Sequence, residues 1–229
     1  MKTQLFKTAL LCSAILLAAC SDDDDNTTSD TADKPTMEFE VTLSNITQGQ
    51  IFSPPILVTH DNSASLWQVG SPSSVALEYL AEGGSTSQTA NLSIVEQSYA
   101  KEAPVKPGMS TSWTIMLDAE QKKSFSLATM LIHTNDGFTG LTGYDLSNMT
   151  VNSVMSKMLG VYDAGTEAND EMQMPGAGNE GFNVSRENDV DRVYMHAGVL
   201  TEADLSTSVL QAEHKFDNPV AKLVIKRLQ

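Results

Sequence analysis

Along residues 37–46 ("MEFEVTLSNI") apolar and polar positions alternate, with Phe39, Val41 and Leu43 set against Glu38, Glu40 and Thr42. That period of two predicts a half-buried β-strand. Gly49 and the Pro54-Pro55 pair break the chain, and "ILVTH" (56–60) offers a second short strand. "SPSSVALEYLAEGG" (71–84) carries a helix pattern: Ser71 as N-cap, Pro72 at the first helical position, Val75, Leu77 and Leu80 as the apolar positions, and Gly83-Gly84 as the stop. "STSWTIML" and "FSLATMLI" are β-rich runs on either side of the charged "DAEQKK", which predicts a hairpin, and Pro107-Gly108 turns the chain before the first of them. Residues 145–158 predict a short helix against the preference of their β-branched and asparagine residues. "VDRVYMHAG" and "PVAKLVIKRL" alternate again, the latter with Ala221, Leu223 and Ile225 opposite Lys222 and Lys226.

No solenoid repeat and no βαβ rhythm interrupts this pattern. Many short strands with Gly and Pro turns predict an all-β fold, an antiparallel β-sandwich of about eight strands, with one or two short helices in the loops. Long loops at 133–160 and 163–189 would gather at the sandwich ends, where function usually sits.

The N-terminal region changes the picture of where the domain works. Residues 1–19 read as a signal peptide, with Lys2 and Lys7 ahead of an apolar core from Ala9 to Leu17. Leu17-Ala18-Ala19-Cys20 matches a bacterial lipobox, so cleavage before Cys20 and lipidation of that residue are expected. Such an anchor holds a protein at a membrane without a transmembrane helix. Ser21 after the cysteine directs the expectation to the outer membrane of the cell envelope. Residues 20–36 then form an acidic tether too polar to fold, and 37–229 the folded domain. With Cys12 in the signal peptide and Cys20 lipidated, the domain holds no disulfide and must stand on its core.

A formal net charge of -15 argues against nucleic acid as a partner, since phosphate binding draws on clustered Lys and Arg. Nucleophilic hydrolysis lacks a Gly-x-Ser-x-Gly elbow, and a Ser-His-Asp set drawn from His60, His133, His196 or His214 is permitted by any four scattered histidines. Zinc lacks His-x-x-x-His or Cys-x-x-Cys spacing. Met172 to Met174 with Met195 and His196 offer thioethers for copper(I), although methionines more often fill cores. The acidic loops are better candidates. "NDGFTG" with Asp136 and "DAGTE" with Asp163 and Glu167 set carboxylates beside glycines, which suits the oxygen-rich, irregular coordination of calcium. On spacing alone a solvent-capped Asx turn ranks ahead of an ion at each loop. The same acids would serve a glycan-directed hydrolase of the envelope or extracellular space, but such a site wants an aromatic-lined cleft and aromatics make up only 6% of the chain.

Several segments in order resemble the spondin N-terminal domain family: "FEVTLSNITQGQIFSPPILVTHD", "LWQVGSPSSVALEYLAEGG", "SLATMLIHTNDGFTGL", "YDAGTEANDE", "PGAGNEGF" and "NPVAKLVIKRL". The resemblance implies a C2-like β-sandwich with a calcium ion among the loops at one end, held by Asp136, Asp163 and Glu167. It also implies a non-enzymatic adhesion or ligand-binding role toward an envelope or extracellular glycan or protein. Two departures stand out. Gly137 replaces the family's aromatic after the first acid, and Glu167 stands where animal members carry Asp. Asp170 and Glu171 are expected to be solvated loop acids.

Overall fold

In the computed structural model, described for residues 35–120, 123–172 and 190–229, the described residues form ten strands. In chain order these are β1 (Thr36–Asn45), β2 (Ile56–Asp61), β3 (Gln97–Ala100), β4 (Ser110–Asp118), β5 (Lys123–Met130), β6 (Gly137–Asp145), β7 (Val154–Leu159), β8 (Val161–Asp163), β9 (Tyr194–Met195) and β10 (Ala221–Arg227). Helices α1 (Val75–Gly83) and α2 (Ser87–Ala90) lie between β2 and β3, and a 3-10 turn at Ala212–His214 precedes β10. The signal peptide, Cys20 and the tether up to residue 34 lie outside the described residues, as does the "PGAGNEGF" segment.

Two antiparallel sheets face each other, in the orders β4-β1-β10-β7 and β3-β2-β5-β6-β8-β9. The alternation of β1 is realised: Phe39, Val41 and Leu43 are fully buried. They meet Ile115 and Leu117 of β4, Leu223 and Ile225 of β10, and Leu57, Phe125, Leu127 and Val161 of the opposite sheet. Each such side chain contributes about 1.5–3 kcal/mol on leaving water, so this layer is the main stabilising element of a domain without disulfides.

The second strand departs from simple alternation, since every residue from Ile56 to His60 is buried. The reason is a third layer. Helix α1 lies on the outer face of the six-stranded sheet, where Leu77, Leu80 and Ala81 pack with Ile56, Val58, Ala128, Trp67 and Phe138. The helix is therefore a cover for the sheet rather than a loop ornament. It begins three residues later than predicted, with Ser74 as N-cap accepting the Leu77 N–H at 3.2 Å. Ser71 is unsuited to the role because its carbonyl accepts from Val193 N–H. Gly84, in the left-handed region, closes the helix by donating its N–H to Leu80.

The expected hairpin does not form, because β4 and β5 belong to different sheets. Their burial gives the cause. β4 alternates as a half-exposed edge strand, whereas β5, central in its sheet and covered by α1, is buried at every position. The helix expected over 145–158 is replaced by a turn followed by β7, which pairs with β10 from Val154 to Leu159. The supposed long loop at 133–160 is largely β6 and β7. Of the 163–189 loop, 164–172 are irregular and 173–189 lie outside the described residues. No helix among the described residues is long and apolar enough to cross a membrane.

Candidate functional site

Strand pairing brings the two predicted acidic loops together. β6 and β8 are antiparallel with Gly137 opposite Asp163, so Asp136, one residue before β6, lies beside the end of β8. On the other flank Asp163 is opposite Tyr194 of β9. The turn that carries Asp136 is closed by Thr134, whose hydroxyl donates to the Leu131 carbonyl at 2.6 Å and accepts the Gly137 N–H at 2.9 Å. A Cβ at residue 137 would stand 2.5 Å from that hydroxyl, which explains why glycine replaces an aromatic there.

The loop after β8 folds over Asp136. Asp163 Oδ1 accepts the Gly165 N–H at 2.8 Å and its Oδ2 accepts from Asn169 at 2.6 Å. Gly165 adopts φ +69°, a left-handed conformation with no space for a side chain, since a Cβ would collide with the Arg192 backbone. This turn aims two amides at one oxygen: Asp136 Oδ2 accepts Thr166 N–H at 2.8 Å and Glu167 N–H at 3.1 Å, with the Thr166 hydroxyl at 3.3 Å. The other oxygen, Oδ1, is buried and has no hydrogen-bond partner.

Asp136 and Asp163 are both fully buried. Burial, and then the Asp163 charge, push the Asp136 carboxyl up to about 7, against the opposing pull of the Thr166 and Glu167 hydrogen bonds. His196, directly after β9, joins this neighbourhood. Burial lowers its pKa while Asp163 acts to raise it. Its Nδ1 accepts the Gly198 N–H at 3.0 Å, which assigns the proton of the neutral ring to Nε2, a buried nitrogen with no hydrogen-bond partner.

Of the three predicted metal ligands, the structure brings Asp136 and Asp163 together, while Glu167 is half-buried and meets Asp136 through its main chain. No three His, Cys, Asp or Glu side chains among the described residues form a metal-holding cluster. Glu171, expected in solvent, is instead buried. Among the described parts of the other candidates, Met195 is 49% exposed while the adjacent His196 is buried, so the two alternate to opposite sides and do not converge on copper; Met174 is outside the described residues. His60 does meet a serine, Ser126 Oγ at 2.7 Å, but its other ring nitrogen faces the Asp61 main-chain carbonyl and both side chains are buried in the sheet. That pair is a structural hydrogen bond without the carboxylate of a triad.

His196 was visible in the sequence only as one of four histidines, and nothing in its spacing ties it to Asp163. The tie comes from β8–β9 pairing, which the sequence pattern of a two-residue strand does not announce. A search of the curated proteins finds no match to the chain. The family model Spondin_N matches residues 44–186, which include both acidic loops and more than half of the chain. With its two-sheet antiparallel sandwich and this match, the chain belongs to the spondin N-terminal domain family, which points to an extracellular adhesion or ligand-binding domain.

Proposed function

We propose that the protein is a lipid-anchored, non-enzymatic component of a bacterial cell envelope, held at the outer membrane through Cys20, whose domain uses a calcium-tied loop end to bind an envelope or extracellular glycan or protein. The observation that carries the calcium reading is the buried pair Asp136 and Asp163, with one Asp136 oxygen lacking any hydrogen-bond partner. Two carboxylates withdrawn from water repel each other, and a divalent cation removes both the repulsion and the unsatisfied acceptor. Calcium takes six to eight oxygens, so two carboxylates require help from Glu167, main-chain carbonyls and water.

The hydrolase reading has weaker support. Two of its acids, Asp136 and Asp163, are solvent-excluded, and Trp67, Phe138 and Tyr162 pack edge-on or tilted against one another in the layer under α1 rather than lining a sugar cleft. The test of the leading reading is thermal unfolding with calcium and with chelator. Saturation at 100 times Kd adds about 2.7 kcal/mol, or a melting shift on the order of 5–10 °C for a domain of this size. Equal calcium responses from wild type, Asp136→Ala and Asp163→Ala would remove the site. Anchoring is read separately, by loss of the Cys20→Ala chain from the membrane fraction.

A further inference from the structure

A cleft of about 790 Å³ opens beside Glu171, the segment from Ala197 to Leu200, and Phe216. It borders the acid pair through Asn169, which lines the cleft and donates to Asp163. Glu171 is 1% exposed. Its Oε1 accepts the Leu200 N–H at 3.2 Å, and its Oε2 is buried with no hydrogen-bond partner. The residue also holds φ +52°, left-handed backbone that side-chain-bearing residues rarely adopt. Both of its backbone groups are engaged, the N–H with Asn135 Oδ1 at 3.4 Å and the carbonyl with Val209 N–H at 2.9 Å. The carboxylate is thus fixed at the cleft by main-chain bonds while one acceptor stays unmet, an arrangement that functional sites tolerate and cores avoid.

The cleft's chemistry selects what would meet that acceptor. Among the described residues, Glu171 and Asp217 line it with one basic residue, Lys215, and the Lys215 ammonium is already 2.7 Å from Asp204. An acidic excess remains, in a chain of net charge -15. A bare divalent ion is a poor fit, because a single unpartnered carboxylate oxygen falls far short of its coordination needs. Apolar walls from Val199, Leu200 and Phe216 suit an alkyl stem, and the Phe216 ring suits a cation over its face. We propose that this cleft binds a primary ammonium on a short alkyl stem, as carried by a lysine side chain or an amino-lipid headgroup, with Glu171 as its counter-ion. The inference rests on reading the domain as ligand-binding and takes no ligand from the Asp136–Asp163 pair.

The test is calorimetric titration of the full chain in neutral detergent with n-butylammonium, and with n-butanol as the uncharged control. Butylammonium should bind and butanol should not. Glu171→Gln should weaken binding by roughly tenfold or more, as should Leu200→Arg, which places a competing cation from a residue that is 48% exposed. If Glu171→Gln melts early, the Leu200→Arg result decides. Capped lysine and vesicles of phosphatidylethanolamine against phosphatidylcholine then separate the two sources of the ammonium group. No butylammonium binding, equal binding of butanol, or unchanged affinity in Leu200→Arg overturns the proposal. The calcium response of the same samples reports on the loop-end reading separately, so either can fail alone.

Discussion

Replacing Asp136 by asparagine should stabilise the calcium-free protein while abolishing its response to calcium. The carboxyl is raised from an ordinary 3.8 to about 7. A raised carboxyl pKa means that between those two values the unfolded chain has released its proton and the folded chain has not. Stability therefore falls as pH rises through that window and levels off above about 7. At ~1.4 kcal/mol per pH unit, ionised Asp136 costs the calcium-free fold at most about 4 kcal/mol at pH 8. Asparagine keeps an oxygen for the Thr166 and Glu167 donors and carries no charge, so it escapes this cost. Part of the cost is repulsion from Asp163, and Asp163→Asn should recover that part. The assay is urea unfolding of wild type and Asp136→Asn at pH 5 and pH 8, with chelator and with calcium. In chelator the variant should gain on wild type between pH 5 and pH 8, and in calcium the wild type should recover the difference. A variant that is less stable than wild type at pH 8 in chelator, or that still responds to calcium, would refute the reasoning.

Phe138→Ala should cost about 3–5 kcal/mol in denaturant melts, because the ring is fully buried between Trp67 at 5.1 Å and Tyr162 at 5.6 Å. Gly165→Ala should cost about 1–3 kcal/mol and weaken calcium binding in the same calorimeter run, since φ +69° and the Arg192 backbone leave no place for a methyl group. Lys123, held by Asp61 at 2.8 Å and by Glu96, has a pKa raised by those hydrogen bonds above its ordinary 10.5. Its contribution is fully present below pH 10.5 and is lost as pH rises through the folded value, so the margin of wild type over Lys123→Met, about 1–2 kcal/mol, should be flat near neutrality and shrink in strong alkali. A margin unchanged at high pH would assign it to packing of the stem.

Strands with one wet face were the plainest to read, while β2 and β5, buried on both faces, showed only as short β-rich runs. Phe39, Val41 and Leu43, and later Leu223 and Ile225, announce β1 and β10 through strict alternation. β6 was not legible, because Gly137, Gly140 and Gly143 lower strand propensity in a segment whose pairing is decided by β5 and β8. Nor does local sequence say which sheet a strand joins, so β4 and β5 read as a hairpin when they are separated by the core. At the site, Asp136 and Asp163 stood out as acids next to glycines, and strand register made them neighbours. Glu171 and His196 carried no comparable mark. Their surroundings come from residues distant in sequence, Asn135 and Leu200 at Glu171 and Asp163 at His196, a tertiary effect with no local period.

The pairing of β1 with β10 has a kinetic side. The two inner strands of the four-stranded sheet come from residues 36–45 and 221–227, and the segment matched to the family contains only the last two residues of the one and none of the other. That segment alone therefore lacks the middle of one sheet. During synthesis β1 can hold β4 early, but the ladder from Phe39–Arg227 to Asn45–Ala221 waits for the C-terminal strand. Contacts of such separation in sequence slow folding and leave one flank of β1 unpaired in the interval. A chain of this design depends on completing that ladder before the open edge finds another partner.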